Sequence, residues 1–152
     1  MAPCRGTTSI ARYGERVTSE SDRDLLLGHT AELAAAAWDV RERSRVIGRT
    51  KVGCAALTST GTTWVGCNVE HAFRSHDIHA EVNAIGNMVA GGHQDLVCLM
   101  VVADRDRFTP CGSCLDWIFE FGGEECVVLV QRQVGGDIST YRAGELMPFY
   151  PR

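Results

Sequence analysis

One uninterrupted apolar run, Leu96 to Ala103, limits what this chain can fold into. A strand that is apolar on both faces must be covered on both sides, which is typical of sheets with helices packed on each face. A second run of this kind, Cys126 to Val130, follows a helical segment. The pattern predicts an α/β fold, a three-layer α/β/α sandwich with a mixed central sheet.

Three helices and a hairpin are predicted around these strands, in the order α-β-β-α-β-α-β. Apolar residues at helical spacing and glycine pairs at two helix ends mark the helices. β-branched residues on both sides of a short turn mark the hairpin. The helices are expected from Asp22 or Asp24 to Arg43, from His79 to Ala90, and from Cys111 or Gly112 to Phe121. The hairpin strands are expected over Val52 to Thr58 and Thr62 to Glu70.

Composition places these elements in one folded domain. The chain has 152 residues, of which 45% are hydrophobic and 22% are charged, and these values are typical of a single globular domain. Residues 1–20 are polar and aperiodic, which predicts a flexible N-terminal tail. Residues 21–152 are therefore expected to form a single folded domain.

The charge balance and the lack of long apolar runs exclude several classes of function. With 15 Lys+Arg against 19 Asp+Glu, the net charge of −4 gives no electrostatic reason to expect a nucleic-acid partner. No apolar run approaches the roughly 20 residues that cross a bilayer, and the N-terminal region lacks a signal-peptide core. We therefore expect a cytoplasmic protein with a small-molecule substrate, no membrane and no nucleic acid.

Seven cysteines form an odd set in a chain without an export signal, which favours free or metal-bound thiols over disulfides. Those inside apolar or strand-like runs are interpreted as core thiols: Cys54, Cys67, Cys98 and Cys126. Cys111 and Cys114 differ, because they open a predicted helix directly after Pro110. The positive end of the helix dipole is expected to lower the pKa of both thiols and so to favour metal binding.

A histidine supplies the third member of a candidate metal site. His79 opens the predicted second helix, so one neutral imidazole and two thiolates can bind Zn²⁺ with no net charge. Three protein ligands leave the fourth tetrahedral position free, as in catalytic zinc sites. Glu81 is too close in sequence to share a helix face with His79, and is free to transfer protons beside the metal. H-x-E followed by P-C-x-x-C is the signature of zinc-dependent base deaminases.

Two other interpretations of these residues stay open at this point. Cys111 and Cys114 could be a redox pair, which leaves His79 and Glu81 without a role. A fourth protein ligand would instead make a structural, non-catalytic zinc module. The candidates for that fourth ligand are His71, His76 and Cys67.

The chain resembles the cytidine deaminase family over about Leu25 to Pro148. The motifs that carry the resemblance are Val52-Gly53-Cys54-Ala55-Ala56-Leu57, Gly66-Cys67-Asn68-Val69-Glu70, His79-Ala80-Glu81, Pro110-Cys111-Gly112-Ser113-Cys114, Phe119-Glu120-Phe121 and Gly144-Glu145-Leu146-Met147-Pro148. The resemblance implies a zinc-dependent hydrolase of pyrimidine salvage, with one Zn²⁺ per chain. Its reaction would convert cytidine or deoxycytidine to uridine or deoxyuridine with release of ammonia. The resemblance also implies a homo-oligomer, with a tetramer favoured and a dimer as the alternative.

Carried over residue by residue, the resemblance gives each candidate site residue a role. Glu81 becomes the catalytic proton shuttle, and the backbone N–H of Ala80 is expected to bind O2 of the pyrimidine. Asn68 and Glu70 match the pair that hydrogen-bonds the ribose hydroxyls, which favours a nucleoside over a free base. The alternative for this pair is a strand end with turn-forming polar residues. The implied zinc ligands are His79, Cys111 and Cys114.

The chain departs from the family pattern near the substrate. Small tetrameric members have cysteine and arginine where His79 and Val82 stand, whereas histidine is typical of larger dimeric members. Thr50 replaces the family's base-stacking phenylalanine, which weakens the argument for base stacking unless an aromatic residue from this chain or a neighbouring subunit replaces it. The candidates are Phe73, Trp117, Phe149 and Tyr150. These departures keep open a deaminase of a modified nucleoside of the blasticidin S type, whereas the charge disfavours a polynucleotide deaminase.

Overall fold

The computed structural model describes residues 20–151. In chain order the elements are α1 (Glu20–Arg41), β1 (Val52–Thr58), β2 (Thr63–Cys67), a 3-10 turn (Arg74–His76), α2 (Ala80–Ala90), β3 (Leu96–Ala103), α3 (Gly112–Gly122), β4 (Val127–Gln131), β5 (Ile138–Arg142) and α4 (Ala143–Leu146). Every helix and strand that the sequence predicts is present. The expected tail, residues 1–20, lies outside the described residues except for Glu20, where α1 begins.

The strands form one sheet with the order β2-β1-β3-β4-β5. β3 and β4 are parallel, and the other neighbouring pairs are antiparallel, so the sheet is mixed as predicted. β3 lies at its centre and all of its residues are buried. Its uninterrupted apolar sequence therefore reflects a strand that is covered on both faces.

Helices cover both faces of this sheet and complete the predicted three-layer sandwich. α1 packs on one face, in a buried cluster of Leu33, Ala34, Ala37, Ala55, Leu57, Val97, Cys98, Met100, Val102 and Leu129. α2 and α3 pack on the other face, in a cluster that includes Ala84, Ile85, Met88, Leu99, Val101, Leu115 and Ile118. Successive residues from Cys98 to Val102 alternate between the two clusters, because side chains of a strand point alternately to opposite faces.

Two glycines let the helices approach the hairpin closely from opposite sides. A Cβ atom on Gly53 would lie 1.9 Å from the carbonyl oxygen of Ala37 in α1, and one on Gly66 would lie 2.3 Å from the nitrogen of Ala84 in α2. The side chain of Asn83 adds a hydrogen bond of 2.9 Å to the carbonyl of Cys67. These contacts fix the position of α2, and with it the start of the helix where His79 and Glu81 lie.

The C-terminal region contains two elements that the sequence did not predict. β5 is a half-exposed edge strand, and α4 is a single helical turn, so neither has a strong apolar pattern. β2 ends at Cys67 and not at the predicted Glu70, because Val69 leaves the sheet and forms isolated bridges with Arg45 and Ile78. No helix within residues 20–151 is long and apolar enough to cross a membrane.

Candidate active site

Two helices begin next to each other at one end of the strands of the sheet. β2 and β3 lie on either side of β1, and their ends pair with Gly53 and Val52. The chain leaves both strands at this end of the sheet and enters α2 and α3, whose N-cap residues are His79 and Cys111. The side chains of these two residues meet, with Nδ1 of His79 at 3.4 Å from Sγ of Cys111.

The geometry of the three predicted ligands fits a tetrahedral zinc ion. Nδ1 of His79 lies 3.2 Å from Sγ of Cys114, and the two sulfur atoms lie 3.6 Å apart. Bond lengths of about 2.3 Å to sulfur and about 2.0 Å to nitrogen would place tetrahedral ligands about 3.8 Å (S to S) and about 3.5 Å (N to S) apart. The observed distances are close to these values, so His79, Cys111 and Cys114 can hold zinc without rearrangement.

This metal-ligating group has three members among the residues that the structure describes. None of the three residues considered as a fourth ligand belongs to it, and they are His71, His76 and Cys67. A closed structural zinc site takes four protein ligands, whereas a catalytic site has three and one open position. Within the described chain the arrangement is that of a catalytic site.

Glu81 lies in the first turn of α2, beside the metal-ligating group. Its side chain is buried, with 4% of its surface exposed, and it does not belong to that group. Burial raises the pKa of its carboxyl above the usual 4.5, although a backbone N–H, the Cys114 thiol and His79 lower it by smaller amounts. A buried carboxyl group with a raised pKa beside a metal site is suited to accept and return protons.

The expectation of a lowered thiol pKa is wrong for Cys114. Burial raises the pKa of this thiol, and the charge of Glu81 and the neighbouring Cys111 raise it further. The cost of burying a thiolate thus outweighs the favourable position at the start of α3. Because cysteine binds zinc as the thiolate, metal binding at this site is coupled to proton release.

A cavity of about 640 Å³ opens in front of the metal-ligating group. His79 and Cys111 line it, and so do the residues predicted for substrate binding and proton transfer: Asn68, Glu70, Ala80 and Glu81. Cavities of roughly 300–1,000 Å³ are usual for small-molecule ligands. The structure therefore brings all of these predicted residues to one concave site of suitable size.

Asn68 is held in place by the segment that leads into β1. Its Oδ1 accepts a hydrogen bond of 2.8 Å from the N–H of Val52, and its Nδ2 donates one of 3.0 Å to the carbonyl of Thr50. An amide side chain has two acceptor sites and two N–H groups, so one of each is left for a ligand. Asn68 is thus buried and oriented, and can still bind a hydroxyl group in the cavity.

The surroundings of Glu70 favour the ionised form of its carboxyl group. Oε2 accepts hydrogen bonds from the guanidinium of Arg74 at 2.9 Å, from the N–H of Gly48 at 2.7 Å and from the N–H of Ile47 at 2.5 Å. These contacts, that of Arg74 first, lower the pKa of the carboxyl from 4.5 to about 2. Oε1 accepts no hydrogen bond from the described residues, so this oxygen is available to a ligand.

Sequence analysis missed Arg74 as a site residue. Arg74 lines the cavity and bridges two carboxylates, because its Nε lies 2.9 Å from Oδ2 of Asp77 while its Nη1 binds Glu70. The spacing to Glu70, four residues, is that of an ion pair on a helix, but this segment is only partly a 3-10 turn and gave no helical signal. The pair therefore becomes visible only in the folded chain.

The four aromatic residues proposed to replace the base-stacking phenylalanine do not line the cavity of the single chain. Tyr150 stacks on Phe119 with ring centroids 4.2 Å apart, and Trp117 stacks on Phe121 at 5.9 Å. The other two are exposed on the surface, and they are Phe73 and Phe149. Phe108, which sequence analysis did not consider, does line the cavity.

Two proteins with similar sequences are both described as cytidine deaminases. A "Probable cytidine deaminase" of Dictyostelium discoideum is 36% identical over 102 residues, which cover 64% of this chain and 66% of that protein. A "Cytidine deaminase" of Sporosarcina psychrophila is 36% identical over 99 residues, which cover 64% of this chain and 71% of that protein. Both relatives match this chain over most of their length.

Solved structures give the same result. A cytidine deaminase from Burkholderia pseudomallei superposes with a TM-score of 0.71 and 30% identity, over 78% of this chain and 96% of that one. A cytidine deaminase from Mycobacterium tuberculosis superposes with a TM-score of 0.68 and 29% identity, over 79% of this chain and 94% of that one. The family model for the cytidine and deoxycytidylate deaminase zinc-binding region matches residues 29–130, and the chain belongs to this family of zinc-binding deaminases.

Proposed function

We propose that this chain catalyses the hydrolytic deamination of cytidine and deoxycytidine to uridine and deoxyuridine, with release of ammonia. One observation carries the proposal. Three zinc ligands, one short of a tetrahedral set, lie beside the buried carboxyl of Glu81 and face a cavity that also contains Asn68 and Glu70. One Zn²⁺ per chain would be held by His79, Cys111 and Cys114.

The mechanism depends on proton transfer by Glu81. Zinc, when bound, supplies a Lewis acid that lowers the pKa of a water molecule to near neutrality. Glu81 takes a proton from the attacking water and delivers it to N3 of the pyrimidine, which makes C4 more electrophilic. The water oxygen adds to C4 as a hydroxyl group, Glu81 moves the proton of this hydroxyl to the amino group, and the C4–N bond breaks to release ammonia. The amine is thereby replaced by a carbonyl, and Glu81 returns to its starting state.

The substrate would be oriented by groups at the start of α2 and at the end of β2. Ala80 is the first residue of α2, and the N–H groups of a first turn have no intrahelical partner, so its N–H can bind O2 of the pyrimidine. The ribose hydroxyls would bind to the free amide positions of Asn68 and to Oε1 of Glu70. Because Glu70 is fixed by Arg74 and two backbone N–H groups, its carboxylate is ordered before the sugar arrives.

The remaining features of the proposal concern assembly and location. We place residues 21–152 in one catalytic domain and propose a homo-oligomer, with a tetramer favoured by the family resemblance. An interface between copies of this chain would cover exposed apolar side chains such as Phe149, Val134 and Phe73. A cytoplasmic role in pyrimidine salvage fits the cysteines, since all of those in the described chain are free. Light scattering coupled to size-exclusion chromatography measures the oligomeric state directly.

The test is a substrate panel with the zinc-loaded protein. Ammonia release and the ultraviolet change are followed for cytidine, deoxycytidine, cytosine and blasticidin S. Turnover of the two nucleosides, with little or none of the free base, supports the proposal and the role of the ribose contacts. Turnover of blasticidin S alone would overturn it in favour of a modified nucleoside, a function that the relatives do not favour. Bound zinc without turnover of any of the four would point to the non-catalytic module.

A further inference from the structure

The cavity contains one large aromatic ring. Among the cavity-lining residues of the described chain, Phe108 is the single Phe, Tyr or Trp. Thr50, which also lines the cavity, has no aromatic ring. The other candidate rings lie outside the cavity lining. A flat pyrimidine ring in this cavity therefore has one aromatic partner within the chain.

Phe108 is tied to the metal site through the chain itself. It lies three residues before the ligand Cys111, and the intervening Pro110 is buried and restricts the backbone. The side chain of Phe108 is half-buried and packs against the core cluster beneath α2 and α3. The distance of its ring from the metal-ligating group is thus set by a short segment that is anchored to the core at Phe108 and Pro110.

Arg132 connects this segment to strand β5 through hydrogen bonds. Its Nη2 donates a hydrogen bond of 3.0 Å to the carbonyl of Phe108, and its Nη1 donates one of 2.8 Å to Oγ of Ser139 in β5. Arg132 also lowers the pKa of the Tyr141 hydroxyl, in the same strand. The planar guanidinium, which donates several hydrogen bonds, therefore connects the segment from Phe108 to Cys111 with the edge strand β5.

We propose that Phe108 forms the wall against which the pyrimidine ring of the substrate packs, and that Arg132 positions this wall. The inference rests on the proposed function, because it assumes a pyrimidine in the cavity. Contact between an aromatic face and a flat ring strengthens binding beyond the burial of apolar area. Phe108 thus takes over the contact that Thr50 does not make, and Arg132, which also lines the cavity, acts through Phe108.

The first experiment compares Phe108→Leu with Phe108→Tyr. Leucine keeps an apolar side chain but removes the ring, so KM for cytidine is expected to rise about 5- to 10-fold, with kcat within about twofold of the original chain. Tyrosine keeps the ring and should leave KM near its original value. Zinc content and melting temperature are measured on each variant, so that a folding defect is recognised.

Phe73→Leu tests the alternative in which a ring from a neighbouring subunit contacts the substrate, since Phe73 is exposed and lies outside the cavity lining of the described chain. KM is expected to stay unchanged in this variant. A rise in KM for Phe73→Leu, with none for Phe108→Leu, would overturn the inference and place the stacking ring on a neighbouring subunit. An equal loss in the leucine and tyrosine variants of Phe108, with zinc and fold intact, would also overturn it.

Arg132 is tested by a double-mutant cycle. If Arg132 acts through Phe108, Arg132→Gln raises KM, and the variant with both substitutions is no worse than the more impaired single variant. Effects that multiply in the double variant would contradict a positioning role. The cycle therefore separates support for the wall from a direct contact between Arg132 and the substrate.

Binding of uridine, measured by calorimetry, gives a readout that does not require turnover. The Kd for uridine is expected to rise by the same factor as KM in Phe108→Leu and to stay unchanged in Phe108→Tyr. If the original chain binds uridine but does not deaminate cytidine, the proposed function fails while the wall is still tested by this comparison. If uridine does not bind to the original chain at all, the inference fails.

Discussion

Nδ1 of His79 lies 3.2 Å from Sγ of Cys114, although 35 positions separate the two residues in the chain. The contact exists because α2 and α3 start at the same end of the strands, one after β2 and the other after β3. Packing of the helices on the sheet thus brings these side chains together.

Loss of one sulfur ligand should remove the metal. Cys114→Ser replaces a buried thiol at the metal-ligating group, and we expect zinc affinity to fall by at least about 100-fold, since ligands matter more than their supporting contacts. Deaminase activity should fall with zinc content. The measurement is zinc per chain by mass spectrometry after dialysis against a weak chelator.

Cys67→Ser is the control for the cysteine prediction. Cys67 lies at the end of β2, next to Asn68, but does not belong to the metal-ligating group in the described chain. Its replacement should leave one zinc per chain. Equal zinc loss in both variants would contradict the ligand assignment.

The close contact between Gly66 and α2 predicts a large effect of a single methyl group. In Gly66→Ala the new Cβ would lie 2.3 Å from the nitrogen of Ala84, so helix and hairpin must move apart. We expect the free energy of unfolding to fall by about 1–3 kcal/mol. Urea denaturation measures the change.

Gly86→Ala provides the matched comparison on α2 itself. A Cβ at this position would meet nothing within 4 Å, and alanine is the better helix former by up to about 1 kcal/mol. We expect this variant to be as stable as the original chain or more stable. A Gly66→Ala variant that is no less stable than Gly86→Ala would show that the helix does not pack on the hairpin as described.

The lowered pKa of Glu70 predicts a pH-dependent contribution to stability. Its carboxyl has a pKa of about 2 in the folded chain against the usual 4.5, so the folded chain binds this proton less readily than the unfolded chain. The stabilisation is therefore fully present above about pH 5 and is lost as the pH falls towards 2. We expect Glu70→Gln to be less stable than the original chain at pH 7, with a smaller difference at pH 3.

Arg74→Gln checks the cause of this pKa. Arg74 makes the largest contribution to the lowered pKa, while the N–H groups of Gly48 and Ile47 contribute less. Removal of the guanidinium should therefore reduce the acid-dependent loss of stability without abolishing it. Thermal unfolding of the three proteins between pH 3 and pH 7 gives the comparison, and a difference between Glu70→Gln and the original chain that does not vary with pH would contradict the account.

Strong local patterns made most of the fold predictable. β3 and β4 are apolar runs, α2 and α3 end at glycines, and the H-x-E and P-C-x-x-C motifs lie at helix starts, so each signal was contained in a few consecutive residues. β5 was not predictable because its half-exposed sequence, Ile138–Arg142, lacks such a signal. Its role becomes clear only from its contact with Arg132.

The contacts that complete the site are not local. Arg132 binds the carbonyl of Phe108 across 24 positions, and no sequence pattern relates the two residues. The thiol of Cys114 shows a second limit, because its position at a helix start predicted a lowered pKa, whereas its burial raises it. The degree of burial depends on the packing of the whole domain and could not be inferred from the motif.

The most direct test of the central claim is the deamination rate of Glu81→Gln with cytidine as substrate. The glutamine has nearly the same size but cannot transfer protons, so we expect kcat to fall by about 10²- to 10⁴-fold while zinc content stays at one per chain. Glu42→Gln, at an exposed carboxylate outside the cavity lining, should keep full activity. A zinc-loaded Glu81→Gln variant that deaminates cytidine as fast as the original chain would contradict the account.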